Sequence, residues 1–175
     1  RRVWAASNDR LDWALAAAVT ILAISLELGL YVHPQASVGD GIFHVHRAQA
    51  VRAGSYFFTS ITPRPFYEFP YPVALYVNAL PLWRWFSTEL ELVHLLRGLA
   101  IVADGLIGVA LFVPLRRWVG RATAFSFVVL YPLVPMPAQA LTAANLTNVY
   151  GQGVFGLAMA VVLWMAVAGR ATLIS

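Results

Sequence analysis

The stretch from Trp13 to Val32 contains Glu27 as its one charged residue, and at about twenty residues it has the length an α-helix needs to cross the hydrocarbon core of a bilayer. Inside a bilayer such a segment must satisfy its backbone hydrogen bonds within itself, which restricts it to a helix. Three further apolar stretches follow, at 92–115, 122–137 and 149–168. The expected fold is therefore all-α: a polytopic transmembrane helical bundle of about four spanning helices. Of the 175 residues, 60% are hydrophobic and only 11% are charged, whereas soluble domains carry about a quarter charged residues. That composition argues against a soluble globular domain. The absence of cysteine removes disulfide frameworks, thiolate metal sites and cysteine nucleophiles.

All 12 basic residues are arginine, and they are scattered between the apolar stretches. That pattern suits control of topology and contacts to phosphate, and it argues against nucleic acid as a partner. Residues 1–12 begin with Arg1 and Arg2 and include Arg10, while Arg116, Arg117 and Arg121 separate the second and third stretches and Arg170 follows the fourth. With four crossings all of these fall on one side, which the positive-inside rule makes cytoplasmic. The chain is then an integral multi-pass protein, of the plasma (inner) membrane of a bacterium, with 169–175 a cytoplasmic end. A basic start and an apolar run also describe a signal peptide, but no small-residue cleavage site follows, so 13–32 is expected to remain as a span. The first residue is not Met and the last lies just beyond an apolar segment, so the chain is expected to be part of a longer one.

Between the first two spans lies a long non-cytoplasmic loop, 33–91. Loops longer than about 15 residues usually carry function or structure of their own. Within it GDGIFHVHRAQAVRAG predicts an amphipathic interfacial helix at 41–53, with Asp40 as N-cap and Gly54 in the left-handed position that ends a helix. Helical spacing stacks Asp40, His44, Arg47 and Val51 on one stripe. A carboxylate beside a cation at the membrane surface can take a proton from a hydroxyl or hold a divalent metal such as Mg or Mn, and arginines such as Arg47 and Arg52 can hold phosphate oxygens. A second account stays open, in which Asp40 only caps its helix while His44 and Arg47 face lipid headgroups. His44 and His46 point about 160° apart on a helix, which argues against a zinc pair.

The remainder of the loop alternates aromatic residues with prolines. It is expected to lie along the membrane surface with a short helix from Val73 to Phe86, either as an anchor or with rings lining a lipid-tail or sugar groove. Glu68 is an accessory candidate there. In the second span His94, Arg97 and Asp104 fall within about 80° of arc, and such groups normally face protein or a water-filled cavity. Asp104 and Glu27 are expected to pack against other helices, whereas His94 and Arg97 sit near enough to the loop to join the Asp40 site, Arg97 as a further phosphate contact. The tripeptide Asn145–Leu146–Thr147 fits a glycosylation acceptor, but the pattern is too frequent to carry weight.

The order of these features resembles the amino-terminal part of the GT-C superfamily of integral-membrane glycosyltransferases. The resemblance rests on a first span, on GDGIFHVHRAQAVRAG opening with an acidic residue, and on the Pro- and Tyr-rich FYEFPYPVALY. LLRGLAIVADGLIGVALFVPLRRWVG and a short third span ending in YPLVP complete it. It implies a polyprenyl-phosphate-linked sugar as donor, transfer to an acceptor outside the cytoplasm, and Asp40 as catalytic base or metal ligand. The family's module has about seven spans, so a shorter chain also fits a different role: a non-catalytic four-helix membrane subunit packed against other membrane subunits through small-residue faces such as Ala14, Ala17, Ala18, Gly105 and Gly108. Half of a transporter fits less well, since only the third span is broken by proline.

Overall fold

The structure, a computed structural model, describes residues 6–33, 36–56, 58–60 and 68–172. Seven α-helices occur among them: α1 (Ala6–Tyr31), α2 (Gly41–Arg52), α3 (Ala74–Ala79), α4 (Glu89–Val119), α5 (Arg121–Leu130), α6 (Pro135–Thr142) and α7 (Leu146–Thr172). Three of them contain segments long and apolar enough to cross a membrane: Arg10–Tyr31, Glu89–Val119 and Leu146–Val167. These mark the chain as a membrane protein. The third expected span takes a different form. Arg121–Leu133 is a shorter apolar helix, about 20 Å long against the roughly 30 Å of a bilayer core. Its last turn, Tyr131–Leu133, tightens to 3₁₀ geometry at Pro132, and the chain restarts as α6 at Pro135. Proline lacks the N–H that would continue the first helix, yet it fits the first turn of the second.

α4 is the hub on which the other long helices pack, and glycines allow the approach. A Cβ on Gly105 would overlap the Ile24 side chain of α1, and one on Gly156 of α7 would lie 2.5 Å from Ile107 Cδ1. At Gly153 the obstacle is the α4 backbone at Ala103 and Asp104, which yields less readily than a side chain. Without a hydrophobic force between helices in lipid, this close van der Waals contact is what holds them together. α4 opens on a capping box: Thr88 Oγ1 accepts from the Glu91 amide at 3.2 Å, and Glu91 Oε2 accepts from the amides of Thr88 and Ser87 at 2.9 and 2.7 Å. Such a cap contributes about 1 kcal/mol.

At the end of the bundle where α4 begins, α2 and α3 form a cap over α4 and the start of α7. Val45, Val51, Leu75, Tyr76, Leu92 and Leu96 are buried in this shared core. α2 runs close to its expected 41–53, and α3 with the 3₁₀ turn Leu80–Trp85 replaces the expected helix from Val73 to Phe86. Between α2 and α3 a minimal antiparallel ladder, not foreseen in the sequence, joins β1 (Phe58–Ser60) to β2 (Glu68–Pro70), pairing Thr59 with Phe69. A second, smaller core at the opposite end gathers Ala16, Phe112, Ala124 and Val128.

Candidate functional site

Asp40 stands at the head of α2 as its positional N-cap, but its side chain makes no capping hydrogen bond. The expected capping role is thereby corrected: the carboxylate is exposed and unused by its own helix. Its position is fixed by the backbone on either side. Gly39 takes φ +50 and lies against Ala143 and Ala144, and a Cβ on Gly41 would come within 2.7 Å of Val93 Cγ1.

The stripe below Asp40 faces inward rather than toward the membrane surface. His44 and Arg47 are 2% and 3% exposed, so they neither face lipid headgroups nor stand open to a substrate phosphate, the two roles the sequence left to them. His44 Nδ1 lies 2.7 Å from the Tyr76 hydroxyl, and the ring is also hydrogen-bonded to the backbone of Ala144. A carbonyl only accepts, so the nitrogen facing Ala144 carries the proton and Nδ1 accepts from Tyr76. Burial pushes the His44 pKa below its ordinary value, partly offset by the Ala144 bond and the nearby Asp40 charge. Burial pushes the Tyr76 hydroxyl up, with further contributions from Tyr71. Tyr71 reaches the Thr147 hydroxyl at 3.3 Å, which ties the loop to α7. Phe43 closes the aromatic group, edge-on to both His44 and Tyr71.

Arg47 donates through Nη2 to the Tyr56 carbonyl at 3.1 Å. Arg52 is exposed, with its guanidinium 5.7 Å from the centre of the Trp83 ring. Arg97, expected to reach toward phosphate, is buried and donates to the carbonyls of Tyr31, Ser37 and Val38. It ties the end of α1 to the turn leading into α2, and a guanidinium beside a helix C-terminus also complements the partial negative charge there. His94 is half-buried, and its Nδ1 has no hydrogen-bond partner among the described residues. His46 points away from His44 and lies 3.4 Å from Glu89 Oε1. The Glu68 backbone is in β2, but its side chain lies outside the described residues.

Deeper in the bundle, Asp104 Oδ1 accepts from the Tyr131 hydroxyl at 2.8 Å. The partner comes from the segment after α5, in line with the expected packing against other helices. Glu27 lies within electrostatic reach of Asp104, and its Oε2 is buried without a hydrogen-bond partner among the described residues. At the far end Asp12 is fully buried and forms ion pairs with Arg116 at 3.1 Å and Arg121 at 2.8 Å, which fastens α1 to α4 and α5. Sequence reasoning did not single out Asp12. The signal was present, since an acidic residue at the start of a span was already assigned to the same side as those two arginines.

The side chains brought together around the Asp40 turn are thus an exposed carboxylate, a neutral imidazole, two tyrosines and a half-buried phenyl ring. Of these, the Asp40 carboxylate is exposed and able to accept a proton, while buried His44 and Tyr76 support the turn from beneath. The chain matches no protein-family model, no curated protein and no solved structure.

Proposed function

We propose that this chain is the amino-terminal part of a GT-C-like membrane glycosyltransferase, which moves a sugar from a polyprenyl-phosphate carrier to an acceptor on the non-cytoplasmic face. The observation that carries the proposal is the exposed Asp40 carboxylate, held in place by packed neighbours yet not consumed as a cap. In this role Asp40 takes the proton from the acceptor hydroxyl as its oxygen bonds to the anomeric carbon. The bond from that carbon to the phosphate oxygen breaks, and the polyprenyl phosphate leaves with the electron pair. Arg52 is exposed but stands at the opposite end of α2 from Asp40, about 18 Å along the helix, too far to hold the phosphate at the reacting carbon, while His44, Arg47 and Arg97 hold the frame.

Asp40 serves equally as the ligand of a divalent metal in this reading, with further ligands supplied by other residues. The topology that accompanies transfer has α5 and α6 together making a fourth crossing, with the Arg116, Arg117 and Arg121 end in the cytoplasm of a bacterial cell and the Asp40 cap outside its inner membrane. A non-catalytic subunit loses one of its supports, because Gly105 and Gly108 are already occupied by Ile24 and Thr20 of the same chain rather than left open to a partner.

The test is Asp40→Asn in the full-length protein, assayed with a radiolabelled polyprenyl-phosphate sugar in membrane vesicles. Transfer should fall by about 10²-fold or more, while stability, Asp40 being exposed, should change by less than about 0.5 kcal/mol. Unaltered transfer by a folded Asp40→Asn protein overturns the proposal.

A further inference from the structure

We propose that His44 is an acid-sensitive latch, whose protonation releases the α2–α3 cap from the α6–α7 turn. The inference concerns regulation of the Asp40 turn and stands whether or not Asp40 acts in transfer. His44 joins three separate parts of the chain. It stands on α2, accepts from Tyr76 of α3 at 2.7 Å, and bonds the backbone of Ala144 between α6 and α7. Through Tyr71 and Thr147 the same hydrogen-bonded group continues to the first turn of α7. Every one of these bonds is matched to a neutral ring with one proton.

A second proton must go on Nδ1, against the Tyr76 hydroxyl. Tyr76 can turn its O–H toward Tyr71 and accept instead, so the hydrogen bond itself can be kept. The charge cannot be accommodated as easily, because His44 is 2% exposed and the face it shares already carries buried Arg47. The groups facing the ring are Tyr76 and Tyr71, the Ala144 backbone, and Asp40 and Arg47 on its own helix. Asp40, the one carboxylate among them, is exposed to solvent and compensates little. From α4, Arg97 is turned to the carbonyls of Tyr31, Ser37 and Val38, and the Glu89 carboxylate is engaged by His46. A buried cation without a buried counter-charge is relieved by hydration, which here means separation of α2 and α3 from the α6–α7 turn. Ala144 holds φ +54 in that turn, outside the ordinary range for a residue with a Cβ. The turn therefore has backbone strain to release when its partner lets go.

The pH window follows from the direction of the shift. His44 titrates below its ordinary 6.5 in the fold, so the open cap binds the proton more readily than the closed one. The latch is at full strength above about pH 6.5 and weakens below it, by about tenfold in the open-to-closed ratio for each pH unit, until the folded value is passed.

The experiment is amide hydrogen exchange on the protein in lipid nanodiscs, corrected for intrinsic rates, from about pH 8 to about pH 4.5. Protection of 41–52 and 74–79 should stay level down to about pH 6.5 and then fall, with the middle of α4 unchanged. His44→Gln, which cannot be protonated in this range, should flatten the response, and His46→Gln should leave it as in the wild type. Tyr76→Phe keeps the ring and loses the donor, so protection should start lower and its pH response should shrink. A flat wild-type profile overturns the proposal, as does a His44→Gln protein that keeps the wild-type slope. If His44→Gln fails to fold, a Tyr76→Phe profile matching the wild type overturns it equally.

Discussion

Replacement of Gly153 by alanine adds one methyl group where α7 lies directly on the α4 backbone, and the geometry predicts its cost. The new Cβ would lie 2.6 Å from the Ala103 carbonyl carbon and 2.7 Å from the Asp104 amide nitrogen, whereas ordinary contact begins near 3.4 Å. Backbone cannot turn aside as a side chain can, so α7 must withdraw from α4 by about 0.8 Å, which forfeits dispersion contacts along the whole interface. Overpacking of this kind costs about 1–3 kcal/mol, and the better helix propensity of alanine returns about 0.5–1 kcal/mol. The expected net loss is about 1–2 kcal/mol. Gly151 lies on the same helix with nothing within 4 Å of its Cβ position, so Gly151→Ala should be neutral or slightly stabilising. Gly156→Ala should fall between them, because its obstacle is the Ile107 side chain, which can change rotamer. The assay is reversible unfolding in mixed micelles with increasing denaturing detergent, followed by far-UV circular dichroism. Equal midpoint shifts for Gly153→Ala and Gly151→Ala would refute helix contact as the source of stability.

Arg97→Met removes a guanidinium from three backbone carbonyls and should cost about 3 kcal/mol, with faster amide exchange across 36–44. Lysine should not restore it, since a single ammonium cannot reproduce the planar fork. Asp12→Asn removes the buried carboxylate that pairs with Arg116 and Arg121, and should cost about 3 kcal/mol. Combining it with Arg116→Met should recover part of that loss in a double-mutant cycle, and strictly additive effects would show that the pair is not coupled.

Helix identity was legible in the sequence because twenty apolar residues admit no other solution in lipid. α2 was legible because Asp40, Gly54 and the spacing between them frame one helix. Which way the His44 and Arg47 stripe turns was not legible. Periodicity defines a face but not its partner, and the partner came from Tyr76 and Ala144, more than thirty residues away in the chain. Arg97 was placed near the loop correctly, but its work as a clamp on carbonyls left no mark in composition, since every residue supplies a carbonyl. The third span was read through its prolines to 137, whereas Pro132 ends one helix and Pro135 begins the next. Asp12 was overlooked because a charge at the edge of a span is ordinarily solvated, and its burial depends on two arginines about a hundred residues further on.

That ion pair also sets an order of events during synthesis. α1 leaves the ribosome first, and Asp12 must wait for Arg116 and Arg121, a delay of about 5–20 s at 5–20 residues per second. Throughout that interval the helix has neither its glycine-lined berth on α4 nor the two arginines that pair with its carboxylate in the finished bundle. Until α4 arrives, α1 therefore depends on something other than its final partners to shield the Asp12 carboxylate.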